Sequence, residues 1–176
     1  MAKTSYYVAV SLDGFIARED EVMDWLSNYT APLETPYDYE PFYKTVSAVV
    51  MGRKTYDKVL SIGEYAYKGK PGLVLSRDAD FKVEEPGVES VSSNWKEKFK
   101  AIKASAEDRV WLVGGGEVAN LFVKEHLLDE IIVTIIPETI GVGIPWLGKT
   151  PLSAGWVLSE HYISKKSVVQ LVYSRR

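Results

Sequence analysis

The chain has 176 residues, 46% of them hydrophobic and 26% charged, which is ordinary for one compact globular domain. Its 21 Lys and Arg against 24 Asp and Glu give a formal net charge of −3, which argues against bulk electrostatic binding of nucleic acid or an anionic membrane. Because the sequence has no Cys and only two His, disulfides, thiolate chemistry and a His-rich metal centre are excluded, and we expect no metal.

The sequence also lacks the pattern of a targeting or membrane-spanning segment. No stretch reaches the roughly 18 uninterrupted apolar residues that a spanning helix needs. The first residues contain no apolar run followed by a cleavage signal. We therefore expect a cytoplasmic protein with no membrane partner.

The first part of the chain predicts a strand, a loop and two helices. Residues 6–12 are β-branched and aromatic and stop at the turn pair Asp13-Gly14, which is typical of a buried strand followed by a loop. Acidic residues then lead into a short helix around residues 23–26. Aromatic residues recur at spacings of three and four over residues 37–45, which predicts a second helix.

The rest of the chain alternates strands with helices and then ends in strands alone. The next predicted strands are residues 47–51, 73–76, 88–91, 109–113 and 131–136. The predicted helices cover residues 53–60, residues 95–102 with Asn94 as the N-cap, and residues 117–124. Residues 156–162 and 168–173 predict an antiparallel hairpin around residues 164–167. This order implies one α/β domain over residues 1–176, with a mostly parallel central sheet, helices on both faces and an antiparallel C-terminal edge.

Three consecutive glycines, Gly114, Gly115 and Gly116, lie where a predicted strand meets a predicted helix. Glycine lets a ligand approach the backbone, and the free N–H groups and dipole at a helix start favour a phosphate. A sharp turn or close packing of helix on sheet is the alternative explanation. The triplet matches neither the G-x-G-x-x-G fingerprint nor the G-x-x-x-x-G-K-[ST] loop, so it supports neither of those two nucleotide sites.

Two other strand ends carry residues suited to phosphate. Gly52-Arg53-Lys54-Thr55 starts a helix with two cations, which oppose the helix dipole unless an anion binds between them. Solvated surface charge is the alternative for this pair. Ser76-Arg77 ends a third strand at a carboxyl edge, where open α/β sheets bind ligands. Together the three junctions indicate a dinucleotide, and the cations favour NADP over NAD.

Five blocks of the sequence, in this order, resemble those of the dihydrofolate-reductase-like superfamily. They are residues 7–17, 50–56, 75–77, 113–118 and 131–134. Within that superfamily, residues 12–17 and 140–147 look most similar to the reductase domain of riboflavin biosynthesis. The resemblance implies the three-layer fold of the superfamily, NADPH as the hydride donor, and a flat heterocyclic substrate. That substrate would be a pyrimidine of the 5-amino-6-(5-phosphoribosylamino)uracil type or a pteridine.

The resemblance also implies site residues by position. The residues implied to hold the NADPH phosphates are Gly52, Arg53, Lys54, Thr55, Ser76 and Arg77. Those implied to line the pyrophosphate and nicotinamide are Gly114, Gly115, Gly116, Glu117 and Val118, with Ala9 and Ile16 flanking the nicotinamide ring. Thr134 matches a strand hydroxyl that helps to fix the substrate in dihydrofolate reductase. Trp25 is a candidate substrate contact, although a tryptophan is more often a core or interface residue.

The sequence departs from dihydrofolate reductase at the acid that binds the pterin and assists its protonation. That position holds Tyr39, between Asp38 and Glu40. Asp13, near the implied nicotinamide, and Asp24, in the segment that resembles the mobile active-site loop, are alternative acids. Asp13 could equally be a turn residue, and Asp24 a helix cap. The candidate catalytic residues are therefore Asp13, Asp24 and Tyr39.

We expect an NADPH-dependent reductase that orients a hydride donor against a flat ring, with a nearby acid or water supplying the proton. One alternative is a non-catalytic NADP(H)-binding regulatory module that kept the fold, which Tyr39 at the acid position favours. True dihydrofolate reduction is a second alternative, and an oligomeric interaction protein a third. A homodimer is a further expectation.

Overall fold

The computed structural model describes residues 2–29, 32–164 and 166–176, which form ten strands and five helices. The strands are β1 (Lys3–Ser11), β2 (Phe15–Ala17), β3 (Val46–Gly52), β4 (Gly72–Leu75), β5 (Val88–Val91), β6 (Arg109–Gly114), β7 (Glu130–Ile136), β8 (Ile144–Pro145), β9 (Trp156–Ile163) and β10 (Val169–Arg175). The α-helices are α1 (Tyr39–Lys44), α2 (Arg53–Ile62), α3 (Trp95–Ser105) and α4 (Gly116–Lys124), and a 3-10 helix spans Asp24–Tyr29.

Eight of these strands form one sheet in the order β5-β4-β3-β6-β1-β7-β10-β9. Neighbours from β5 through β7 pair in parallel, whereas β10 pairs antiparallel with both β7 and β9. Because the six parallel strands point the same way, their carboxyl ends meet at one edge of the sheet. The mostly parallel sheet with an antiparallel C-terminal edge is confirmed.

Helices cover both faces of this sheet, and alternate residues of each strand point to opposite layers. Tyr6 and Val10 of β1 pack in the layer with α3 and α4, where Phe99 and Phe122 are fully buried. Tyr7 faces the other layer, with α1 and α2. The predicted three-layer arrangement is therefore confirmed. In the part of the chain that the structure describes, no helix is long and apolar enough to cross a membrane.

Several boundaries differ from the predicted ones. Helix α1 begins at Tyr39 rather than at residue 37, because the Asp38 carboxylate accepts a hydrogen bond from the backbone N–H of Leu33 at 2.8 Å and holds the preceding residues in a turn. The predicted short helix is the 3-10 helix. Strands β2 and β8, which pair in a separate two-stranded sheet, were too short for the pattern to indicate.

Two smaller expectations are confirmed. Asn94 is the N-cap of α3, although its φ of 54° is left-handed and its side chain makes no capping hydrogen bond. The predicted hairpin of β9 and β10 forms. Its turn includes Lys165, which lies outside the described residues.

Candidate functional site

Helices α2 and α4 begin directly after the neighbouring parallel strands β3 and β6. Their N-caps are Gly52 and Gly115, which have no side chain to bind the free N–H groups of the first helical turn. The two junctions touch, since a Cβ built on Gly52 would lie 3.0 Å from Cγ2 of Val118 and 4.0 Å from the carbonyl oxygen of Gly114. The two helix starts form one corner suited to an anion, at the carboxyl edge of the sheet.

Gly115 has room for a Cβ atom within this corner. A Cβ built on it would lie 3.5 Å from Oγ1 of Thr55 and 3.9 Å from Cδ1 of Ile16, which are ordinary van der Waals distances. The peptide bond between Gly114 and Gly115 is cis. The fold thus brings together three residues that were predicted to contact the cofactor, Ile16, Thr55 and Gly115. Packing within the protein therefore does not require a glycine at position 115.

Gly116 is explained by packing instead. A Cβ at this residue would lie 2.1 Å from the carbonyl oxygen of Pro145 and 2.7 Å from the backbone nitrogen of Gly148. The Glu117 carboxylate is directed to the same segment, where it accepts a hydrogen bond from the backbone N–H of Lys149 at 3.0 Å. Gly116 and the Glu117 side chain therefore hold the segment of residues 145–150 against α4, and the role of both residues in lining the pyrophosphate stays a prediction.

The predicted phosphate-binding cations differ in their partners. Nη1 of Arg53 donates to Asp78 at 2.9 Å, and its guanidinium lies 4.4 Å from the centre of the Phe81 ring. A carboxylate of the protein, rather than a ligand, thus offsets the cost of this cation at the start of α2. Lys54 and Arg77 are exposed and have no ion-pair partner among residues 2–29, 32–164 and 166–176. These two are free to meet a phosphate.

Ser76 shapes the turn after β4. Its side chain is buried, and its Oγ accepts a hydrogen bond from the backbone N–H of Asp78 at 3.1 Å. Its own backbone N–H donates to the carbonyl of Val91 at 3.0 Å. Because this turn places Asp78 next to Arg53, Ser76 acts on the candidate phosphate site through the position of that carboxylate.

Asp13, the first candidate acid, ties two loops together. Its carboxylate accepts hydrogen bonds from Oγ of Ser11 at 2.6 Å and from the backbone N–H groups of Ile140 at 3.1 Å and Gly141 at 2.7 Å. These hydrogen bonds, above all the one from Ser11, hold the pKa of Asp13 below its usual range. An ionised carboxylate held in this way suits the turn role that was the alternative for Asp13, and not the donation of a proton.

The other two catalytic candidates also have structural contacts. Asp24 is exposed and accepts a hydrogen bond from Nε of Arg18 at 2.8 Å, which lowers the pKa of Asp24. The Tyr39 ring stacks on Tyr43 at a centroid distance of 5.5 Å and meets Trp111 edge-on at 6.3 Å. Burial raises the pKa of Tyr39, so its hydroxyl keeps its proton. The catalytic roles of Asp13, Asp24 and Tyr39 stay predictions.

Thr134, predicted to contact the substrate, and Ala9, predicted to flank the nicotinamide, lie on one face of the sheet. Ala9 of β1, Thr134 of β7 and Gln170 of β10 are neighbours in register and form a row across three strands. Ala9 and Thr134 are only half-buried, although both belong to interior strands. Interior strands of a covered sheet are normally buried on both faces. Ala9 and Thr134 are therefore partly accessible to solvent, whereas Gln170 is buried.

Trp25 lies beside the row, in the core. It is buried against Ile136 and Val168, in a cluster that Ala9 also contacts. Its Nε1–H is buried and has no hydrogen-bond acceptor among the residues that the structure describes. The structure thus puts Trp25 next to the predicted nicotinamide position, with a donor that the surrounding side chains leave unpaired.

Gln170 was missed by the sequence analysis. Residues 168, 170 and 172 of the chain point to the same face of the sheet, and the two that flank Gln170 are valines buried in apolar clusters. A polar amide at an inward position of an apolar strand was the available signal. No group of three or more His, Asp or Glu that could hold a metal ion is found in the described ranges.

Comparison with known proteins gives the family. The sequence profile of the RibD C-terminal domain matches residues 3–169, which is nearly the whole chain. The chain belongs to this family. The Bacillus subtilis (strain 168) protein YwjB, itself uncharacterised, is 36% identical over 144 residues, which cover 81% of this chain and 81% of YwjB.

Solved structures share the fold. A provisionally named riboflavin biosynthesis protein from Shewanella sp. PV-4 superposes with a TM-score of 0.83 at 29% identity, covering 100% of this chain and 99% of that one. Dihydrofolate reductase from Enterococcus faecalis, complexed with NADP(H), gives 0.66 at 20% identity, with 99% and 96% covered. A Thermotoga maritima deaminase/5-amino-6-(5-phosphoribosylamino)uracil reductase gives 0.68 at 15% identity, with 99% of this chain and 57% of that one covered. The predicted superfamily and its reductase-type fold are confirmed.

Proposed function

We propose that the protein is an NADPH-dependent reductase of a flat heterocycle, either a pyrimidine of the riboflavin pathway or a pteridine. The observation that carries this proposal is the corner between Gly52 and Gly115, where two helix starts without side-chain caps meet and Gly115 stays open toward Thr55 and Ile16. Backbone N–H groups at such a corner suit a pyrophosphate. The E. faecalis reductase that shares this fold binds NADP(H).

The cations near this corner favour a cofactor with an additional phosphate. Lys54 and Arg77 are exposed at neighbouring strand ends, β3 and β4, and would bind the 2′-phosphate. Arg53 would join them when a phosphate replaces Asp78 as its partner. When bound, NADPH supplies the hydride, so that the protein needs no nucleophile or metal of its own for the transfer.

The half-buried row of Ala9 and Thr134 is where we place the substrate. The nicotinamide would lie between Ile16 and Ala9, and the flat ring of the substrate would rest beside it, over Thr134. Holding the two rings next to each other in a reactive orientation would lower the barrier to hydride transfer. Asp13 and Asp24 are held ionised, and burial makes Tyr39 a weaker acid, so we infer that water supplies the proton.

The contacts of Tyr39 and Asp38 at the start of α1 favour a second candidate function, a non-catalytic NADP(H)-binding module. Tyr39 occupies the predicted acid position and packs on Tyr43, and the neighbouring Asp38 carboxylate is used by the turn before α1. True dihydrofolate reduction loses support for the same reason, because a carboxylate free to bind a pterin is what that reaction requires.

Titration with NADPH, followed by fluorescence, tests the proposal. The wild type should bind, and Gly115→Asp should bind about 100-fold more weakly, because the new carboxylate would lie against the pyrophosphate. Gly155→Asp is the matched control, since a Cβ there has room at 3.7 Å from the nearest atom, and it should bind like the wild type.

Lack of NADPH binding by the wild type would overturn the proposal. Turnover is then measured as NADPH oxidation over a panel of pyrimidinones and pteridines that includes dihydrofolate. Oxidation with one of these rings supports the reductase. Binding of NADPH without oxidation over the panel would favour the regulatory module.

A further inference from the structure

A segment that is distant in the chain packs on the start of helix α4. We call residues 144–150 the strap, and its first two residues are strand β8. Gly116 and Glu117 lie four and three residues before Asn120, so all three are neighbours on the surface of α4. Each of them contacts the strap. This side of α4 is therefore used to hold the strap.

The Asn120 side chain is the buried polar anchor of this contact. Asn120 is 3% exposed, and its Nδ2 donates to the carbonyl oxygens of Leu147 and Thr150 at 2.8 Å each. A carbonyl oxygen can only accept a hydrogen bond, so the amide nitrogen must face the strap, where both of its N–H groups are used. Because a buried amide is costly when it is unpaired, Asn120 fixes the strap at two points three residues apart.

Tyr6 holds the strap from the central sheet. Its side chain is fully buried, its hydroxyl donates to the carbonyl oxygen of Trp146 at 2.8 Å, and its ring stacks on the Trp146 ring at a centroid distance of 6.3 Å. Strand β1, which contains Tyr6, and helix α4 pack in the same core layer. The strap thus has a fixed position relative to both of these elements.

Strand β2 depends on the strap for its own position. It has three residues, and β8 is the strand that pairs with it in the described part of the chain. The backbone N–H of Trp146 also donates to the carbonyl oxygen of Gly14, just before β2, at 3.3 Å. Two short strands are not stable as an isolated pair, so the anchors of the strap determine where β2 lies. Ile16, the middle residue of β2, is the one that approaches Gly115.

We propose that Asn120 is a positioning residue for the nicotinamide end of the cofactor. Through the strap it holds β2, so that Ile16 keeps its distance from Gly115, the N-cap of the same helix. Helix α4 then positions both halves of the cofactor site, the pyrophosphate at its first residues and the nicotinamide through Asn120. This inference rests on the proposed function, because it takes Ile16 as a contact of the nicotinamide ring.

Two ligands that differ by the nicotinamide ring test the inference. The dissociation constants of NADPH and of 2′-phospho-ADP-ribose, which is NADPH without its nicotinamide, are measured by calorimetry. The wild type should bind NADPH more tightly. Asn120→Asp turns a carboxylate toward two carbonyl oxygens, and should weaken NADPH binding about tenfold but 2′-phospho-ADP-ribose binding by less than about twofold. Asn94→Asp makes the same change at an exposed side chain without a capping hydrogen bond, and should leave both constants unchanged.

Hydrogen–deuterium exchange of the ligand-free protein follows the strap itself. In Asn120→Asp, the backbone amides of residues 15–17 should exchange about tenfold faster than in the wild type, whereas those of β3 should keep the wild-type rate. A residue that only stabilises the fold would instead raise exchange throughout the core and leave the ratio of the two dissociation constants unchanged.

Tyr6→Phe is a second variant, which removes only the hydroxyl that binds the strap. It should speed exchange of residues 15–17 and weaken NADPH binding, each by about threefold, because one of several anchors is lost. Tyr65→Phe is its matched control. It removes a buried hydroxyl that has no hydrogen-bond partner among the described residues, and should change neither quantity.

Equal weakening of the two ligands by Asn120→Asp would overturn the inference, and so would an unchanged NADPH constant or wild-type exchange of residues 15–17. It is also overturned if the wild type binds NADPH no more tightly than 2′-phospho-ADP-ribose. In each of these cases the wild type binds NADPH and the proposed function stands, whereas a wild type that does not bind NADPH overturns both. Melting temperatures show which variants are folded, and Tyr6→Phe carries the test if Asn120→Asp does not fold.

Discussion

At the scale of single residues, the neighbouring Gly115 and Gly116 differ in the space available for a side chain. Position 115 has ordinary space for a Cβ, whereas position 116 lies under the backbone of Pro145 and Gly148. Backbone atoms cannot move aside as the end of a flexible side chain can. The two positions therefore differ in what a methyl group does to stability.

We expect Gly116→Ala to lower the free energy of unfolding by roughly 3 kcal/mol, the upper part of the range for overpacking, because its Cβ would lie 2.1 Å from a carbonyl oxygen. Gly115→Ala is the matched control and should cost less than about 1 kcal/mol. Denaturant unfolding of both variants measures the difference. Similar losses at the two positions would contradict the assignment of Gly116 to packing.

At the scale of elements, the turn after β4 supplies an ion-pair partner to the first residue of α2. The turn that Ser76 stabilises places Asp78 next to Arg53. One cation of the proposed phosphate site is therefore already paired with a carboxylate. Both side chains are about half-exposed, and an exposed ion pair contributes little to stability. We therefore expect the Arg53–Asp78 ion pair to affect phosphate binding, by competition for Arg53, more than it affects the stability of the fold.

Asp78→Asn should tighten NADPH binding by about threefold to tenfold, because Arg53 then keeps only its longer ion pair with Asp57, at 3.6 Å, in competition with the phosphate. NADH, which has no 2′-phosphate, should be affected much less. Glu64→Gln is the control, since it removes the same charge from an exposed ion pair with Lys68 on the same segment of the chain. Weaker binding of NADPH to Asp78→Asn would show that Arg53 does not meet the phosphate.

At the scale of the whole molecule, the two edges of the eight-stranded sheet are unlike each other. Strand β5 has four residues, whereas β9 has eight and exposes Leu158 and Ile163 at 48% and 72%. Strand β9 contains no Lys, Arg or Pro, the residues that usually protect an edge from pairing. The homodimer stays a prediction, and β9 is the edge where we expect a second copy to pair, antiparallel about a two-fold axis.

Leu158→Lys should convert such a dimer to a monomer, because it puts a charge into the shared edge. Light scattering after gel filtration measures the mass of each form. Ile62→Lys, at an exposed apolar position at the end of α2, should leave the mass unchanged. A monomeric wild type would contradict the expectation directly.

Local patterns were sufficient for most of the elements. Apolar runs predicted the parallel strands, and the glycines that end β3 and β6 marked where α2 and α4 begin, because these signals act over a few neighbouring residues. Tyr39, which the resemblance puts at the acid position, lies at the start of α1, and its role stays a prediction. Such signals predict an anion-binding edge before any tertiary contact is known, and the proposed NADPH titration tests that prediction.

The tertiary structure decided the partner of each of these residues. Gly116 meets Pro145, Arg53 meets Asp78, and Thr35 meets Gln170, which is 135 residues away in the chain. No local pattern contains such pairings, because they arise only when the sheet order brings distant strands and loops together. The sequence by itself determined the fold class and the edge suited to phosphate. The packing of the folded chain decided which glycine has room for a side chain and which cation is already paired.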